Sequence, residues 1–209
     1  MTPVLLVGAV VAAAYALVTL RRERLPLFYE IVAYALGAYA LGTLYTCLRA
    51  SGIAGGEQTD TPIIGYLGYA GAFFFLFSSY YGAIDSLADE RDRKMRPRRA
   101  AALILALALL LTGGGALVSL GRPLAATALA PVTATSYFAL KHLLSPDVEM
   151  GLVNALRPYN AAVLACCLAQ PLVLAGFGGI TGILVSLLGA VLLVCLPALA
   201  RRGVLRWFM

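Results

Sequence analysis

Long apolar runs, broken at short intervals by proline and arginine, organise the chain from end to end. Seven of them, at about 3–20, 26–48, 62–87, 100–120, 123–140, 157–175 and 179–200, approach or exceed the roughly 20 residues a helix needs to cross the hydrocarbon of a bilayer. The runs are continuous rather than alternating, so they predict helices and not the strands of a membrane barrel. Alanine and leucine, both strong helix formers, dominate them. Pro26, Pro62, Pro123 and Pro158 stand at the starts of runs, where a missing N–H costs nothing. A shorter amphipathic helix is predicted over about 146–156, lying on the membrane surface. Ser145-Pro146-Asp147 supplies a cap, a proline at the first helical position and an early acid, while Val148, Leu152, Val153 and Leu156 recur at helical spacing. Pro158 then kinks it into the sixth span.

Composition fixes the class. Of 209 residues, 61% are hydrophobic and 12% charged, against roughly 45–50% and about 25% in soluble domains. The expected fold is all-α: a polytopic integral membrane protein forming one compact bundle of about seven transmembrane helices across residues 1–209. The net charge of +6 is distributed with a purpose. Arg21, Arg22 and Arg24, the cluster Arg91, Arg93, Lys94, Arg96, Arg98 and Arg99, Lys141, Arg157, and the tail residues Arg201, Arg202 and Arg206 all fall on one side; they are 14 of the 16 basic residues, leaving Arg49 and Arg122 on the other. The positive-inside rule then puts the N-terminus outside and the C-terminus in the cytoplasm, as in a multi-pass protein of a cell membrane of the bacterial inner-membrane type. The cluster from Arg91 to Arg99 is expected to contact anionic lipid head groups. There is no soluble basic domain for a nucleic acid to occupy. Met1-Thr2-Pro3 lacks the positive n-region of a cleaved signal, so the first run is expected to be a retained anchor.

The sequence has four cysteines and one histidine. Cys47, Cys166, Cys167 and Cys195 have neither a disulfide framework nor metal-ligand spacing; they read as small hydrophobes. His142, beside Lys141, reads as an interfacial cation at a helix end. A single histidine argues against histidine-ligated haem, and the last span lacks the lysine a retinal pigment requires. No cofactor is expected.

Ionisable and polar groups within apolar spans are expensive, and so point to function. They concentrate toward the basic side: Glu30 and Tyr34 in the second span, Ser78, Tyr81 and Asp85 in the third, Thr133, Ser136 and Tyr137 after Pro131 in the fifth, and Arg157 and Asn160 opening the sixth. Together they outline a polar pocket open to the cytoplasm; the competing reading is structural pairing of Arg157 with an acid. Ser78, Tyr81, Asp85, Asp89 and Asp92 share one helical face. This row resembles the aspartate-rich segments of intramembrane prenyltransferases, which hold magnesium and a diphosphate, and makes Asp85, Asp89 and Asp92 the only metal candidates. It departs from that family, which uses two such motifs where this chain has one. The pairs Asp89–Arg93, Glu90–Lys94 and Asp92–Arg96 equally suit a solvated helix extension.

Aromatic residues crowd the second and third spans, while the seventh has none, which counts against a recent internal duplication. Small residues four apart, among them Gly8/Ala12, Ala33/Gly37, Ala38/Gly42, Gly68/Ala72 and Gly182/Ser186, predict close helix packing in a bundle or a homo-oligomer. Short loops and the absence of an output domain favour a ligand-sensing or accessory component acting through a signalling or transport partner, by architectural analogy with seven-helix sensory modules. A small-solute transporter comes second. An intramembrane enzyme on lipid or isoprenoid phosphates comes third.

Overall fold

The computed structural model describes residues 3–52, 63–81, 95–145 and 151–208. The described chain is helical, with α1 Pro3–Arg22, α2 Leu27–Ala50, α3 Ile63–Ser79, α4 Met95–Ser119, α5 Pro123–Thr127, α6 Leu129–Leu144, α7 Leu152–Ala175 and α8 Gly179–Phe208. Among the described residues, six stretches are long and apolar enough to cross a membrane: α1, α2, α4, α5 with α6, α7 and α8. The shorter α3 is also apolar over its described length. The molecule is a multi-pass helical membrane protein.

The helices pack as a ring. α2 lies along α3, α3 on α6, α6 on α7, α7 on α8, and α1 closes the circle between α8 and α2; α4 braces α6 from outside. Leu41, Ile104, Leu111 and Ile180 are among the side chains left on the outer surface, as expected where the solvent is lipid. Close approaches that require glycine join neighbouring helices. A Cβ at Gly8 would collide with Ala190, joining α1 to α8, and one at Gly42 would stand 2.9 Å from the Gly65 carbonyl oxygen where α2 crosses α3.

Several element ends differ from the expected ones. α7 begins at Leu152, so the part of the predicted surface helix after residue 151 belongs to the span itself. Pro158 and Pro171 both lie within this helix; a proline removes one hydrogen bond while lipid gives the backbone no other partner, so helix persists around it. The remainder of that prediction, 146–150, and the end of the third run, 82–87, lie outside the described residues. The fifth span is broken at Ala128 between α5 and α6. α8 spans 30 residues, about 45 Å, well beyond a hydrocarbon layer of roughly 30 Å.

That surplus gives one end of the bundle its character. Arg201 of α8 donates from Nε and Nη2 to the two carboxylate oxygens of Glu23, at 2.8 and 2.6 Å, tying the end of α8 to the turn between α1 and α2. Arg21, Arg22, Arg98, Arg99 and Arg202 belong to this same end, called the basic end below. At the far end, Arg122 donates to the Leu174 carbonyl at 3.0 Å, satisfying a free acceptor at the C-terminus of α7. Its guanidinium rests against Gly176, where a Cβ would lie 2.5 Å from Nη1. An arginine isolated among apolar residues thus acts as a helix cap.

Candidate functional site

A polar cluster occupies the half of the bundle nearer the basic end. Tyr80 follows directly on α3, and its hydroxyl donates to Oδ1 of Asn160 on α7 at 2.9 Å. The Tyr80 ring stacks on His142 of α6, with centroids 5.7 Å apart and planes 9° from parallel. Tyr159 stands 6.2 Å from Tyr80 and meets Phe28 of α2 edge-on at 5.3 Å. Phe138 stacks against both Tyr80 and His142, and Lys141 Nζ sits 5.5 Å over its ring, within cation–π reach. Tyr80, Tyr159 and His142 have no exposed surface, Asn160 keeps 1% and Lys141 3%. A buried lysine and histidine beside a tyrosine–carboxamide pair is costly in an apolar medium.

Thr135 fastens the cluster from the side, sharing its hydroxyl between the Phe73 carbonyl of α3 at 2.9 Å and its own helix at Pro131. Asn160 keeps one feature that no protein group answers: Nδ2 is buried and has no hydrogen-bond partner. A carboxamide NH2 is purely a donor, so any group that answered it would have to be an acceptor.

The residues expected from sequence distribute unevenly. Asn160 and Ser136 are buried in the bundle. Ser136, Thr133 and Ser78 donate their hydroxyl protons to the carbonyls of Thr133, Leu129 and Phe74 in their own helices, the usual arrangement for a hydroxyl in a helix interior. Tyr137 is half-buried and meets Phe138 edge-on. Tyr34 and Tyr81 lie on the outer surface, 52% and 66% exposed, against Phe75 and Phe77. Glu30 is half-buried in the first turn of α2, where a carboxylate suits the positive end of the helix dipole. Arg157 is exposed and donates to the Ser145 carbonyl at 3.2 Å, joining the end of α6 to the start of α7. Asp85, Asp89, Asp92, Arg91, Arg93 and Lys94 lie outside the described residues, whereas Arg96 is exposed and Arg98 and Arg99 half-buried near the start of α4. Among the described residues no three of His, Cys, Asp and Glu come together as metal ligands.

Four members of the cluster were missed in the sequence: Tyr80, Lys141, His142 and Tyr159. His142 is the instructive one, since it is fully buried rather than interfacial. A signal existed. It lies seven residues, two helical turns, beyond Thr135 and so shares that residue's inward face. Likewise Tyr159 adjoins Asn160, and Tyr80 falls seven residues after the buried Phe73. No protein-family description, curated protein or solved structure matches the chain.

Proposed function

We propose that this protein is a ligand-binding membrane component, a sensor or accessory subunit that takes an acceptor-rich polar ligand into the half of its bundle nearer the basic end and reports to a partner through that end. The basic end faces the cytoplasm in this reading, as its arginine content favours. One observation carries it: the convergence of Tyr80, Lys141, His142, Tyr159 and Asn160 from three helices, all buried, with Asn160 Nδ2 left unanswered. Purely structural polar contacts tend to close on themselves, as Thr135 does here with two carbonyls; a donor left open inside a membrane favours a ligand. In this reading the signal passes to a separate partner chain at the basic end. Native mass spectrometry of the protein, purified in mild detergent from its own membrane, tests the reading: a bound small molecule is expected on the wild type and not on Asn160→Leu. Its absence from a folded wild type would count against the proposal.

A transporter is the second reading, favoured by the break at Ala128 and by the prolines inside α7 and α8, since interrupted helices serve as hinges and ion sites in transporters. Uptake by proteoliposomes that disappears in Asn160→Leu would replace the sensor with a carrier.

A further inference from the structure

A second place in the bundle repeats the chemistry of the first. In the half away from the basic end, the Tyr39 hydroxyl of α2 donates to Oε1 of Gln170 on α7 at 3.0 Å. Tyr39 is 5% exposed and Gln170 2%. Gln170 Nε2 is buried and has no hydrogen-bond partner, the same condition as Asn160 Nδ2 beside Tyr80. In both places a tyrosine from across the bundle engages the carboxamide oxygen of α7 and leaves the NH2 group open. Gln170 comes ten residues after Asn160, about 15 Å along the helix and some 80° short of three full turns. Both therefore belong to one inward face of α7, with Val163, Cys167 and Leu174, all buried, along the same strip.

The groups around the Tyr39–Gln170 pair limit the chemistry that could bind. Tyr69 lies 4.9 Å and Phe73 6.5 Å from Tyr39, ring to ring. Thr43 is occupied, its hydroxyl donating to the Tyr39 carbonyl at 2.8 Å. None of these groups carries a charge, and Arg122 is engaged in capping α7 at Leu174. An ion would have nothing to neutralise it there, and desolvation would exclude it. An apolar molecule would leave the amide protons unanswered.

From this we infer that Tyr39 and Gln170 form a second binding site, one that takes a small uncharged hydrogen-bond acceptor, such as a carbonyl or sulfoxide compound, on the Gln170 amide protons. The site lies beyond the one proposed above and does not depend on it. Glutamine and asparagine are scarce in this chain, Gln58, Gln170, Asn154 and Asn160 being all there are, so labelling these side chains with nitrogen-15 yields four NH2 groups to follow by NMR in nanodiscs. Gln170→Glu and Asn160→Asp assign the two buried signals, and the probe is N,N-dimethylacetamide, which accepts hydrogen bonds without donating any. A saturable shift of the Gln170 signal is expected, with the exposed Asn154 moving only in proportion to probe concentration. A Gln170 signal that drifts in proportion, as Asn154 does, overturns the inference. If Asn160 alone saturates, the second site is wrong while the basic-end site keeps its support; if Gln170 alone saturates, the reverse holds.

Discussion

Asn160 joins α7 to Tyr80 through a single hydrogen bond of 2.9 Å between fully buried partners. Replacing it with leucine strands the Tyr80 hydroxyl where no water can reach, and the expected loss is about 1–3 kcal/mol. Asn160→Asp keeps a side-chain acceptor oxygen at the same place and should melt closer to the wild type. Thermal unfolding in detergent checks the order wild type, then Asp, then Leu. The hydroxyls of Ser78, Thr133 and Ser136 contribute less, because each serves its own helix; alanine at any of these positions should leave the melt nearly unchanged. Glu23 makes a pH-dependent contact. The Arg201 guanidinium, chiefly through its hydrogen bonds, holds the Glu23 carboxyl below its ordinary value of 4.5. A carboxylate depressed on folding stabilises the folded state above its unfolded value, and the benefit fades as pH falls through the folded one. Melting temperatures of wild type and Glu23→Gln should therefore differ at neutral pH and converge in acid below 4.5.

Between helices, the decisive contacts involve residues with little or no side chain. At the α2–α3 crossing a Cβ on Gly68 would lie 2.5 Å from the Gly42 Cα, a separation no ordinary packing tolerates. Gly68→Leu must push the helices apart, at an expected cost of about 1–3 kcal/mol, whereas Gly71→Leu, with nothing within 4 Å, should be nearly silent; a pair of thermal melts separates the two. Elements were largely legible in the sequence, because the length of an apolar run and its proline boundaries depend on local chemistry and the bilayer alone. Small-residue spacing identified Gly8, Gly42 and Gly68 correctly as close-packing positions, but it also selected Gly37, which meets nothing within 4 Å. Spacing reveals a face and not what lies opposite. The same limit applies to the candidate site. Asn160 was legible because an amide within an apolar run is conspicuous, whereas His142 at a run's edge looked like a surface cation, and only the packing of α3 against α6 shows that it is enclosed.

For the molecule as a whole, the asymmetry of charge and the asymmetry of buried polarity point the same way. The Glu23–Arg201 pair, the arginines of α4 and α8 and the enclosed Tyr80–His142–Asn160 cluster all belong to one half of the bundle. With that half toward the cytoplasm, a green fluorescent protein fused after Met209 should fluoresce, and a secreted alkaline phosphatase at the same place should be inactive; the opposite pattern would reverse the orientation. Within the half, Lys141 and His142 are sealed beneath aromatic rings instead of reaching for water, which sets this cluster apart from the exposed arginines around it. That enclosure is proposed to hold a ligand. An electron cryo-microscopy map of the protein in nanodiscs, prepared directly from its own membrane, tests this most directly. The expected result is density not belonging to the protein within hydrogen-bond distance of Asn160 Nδ2, beside Tyr80 and His142. A map in which Nδ2 instead donates to a protein group, with side chains filling the space, would contradict it.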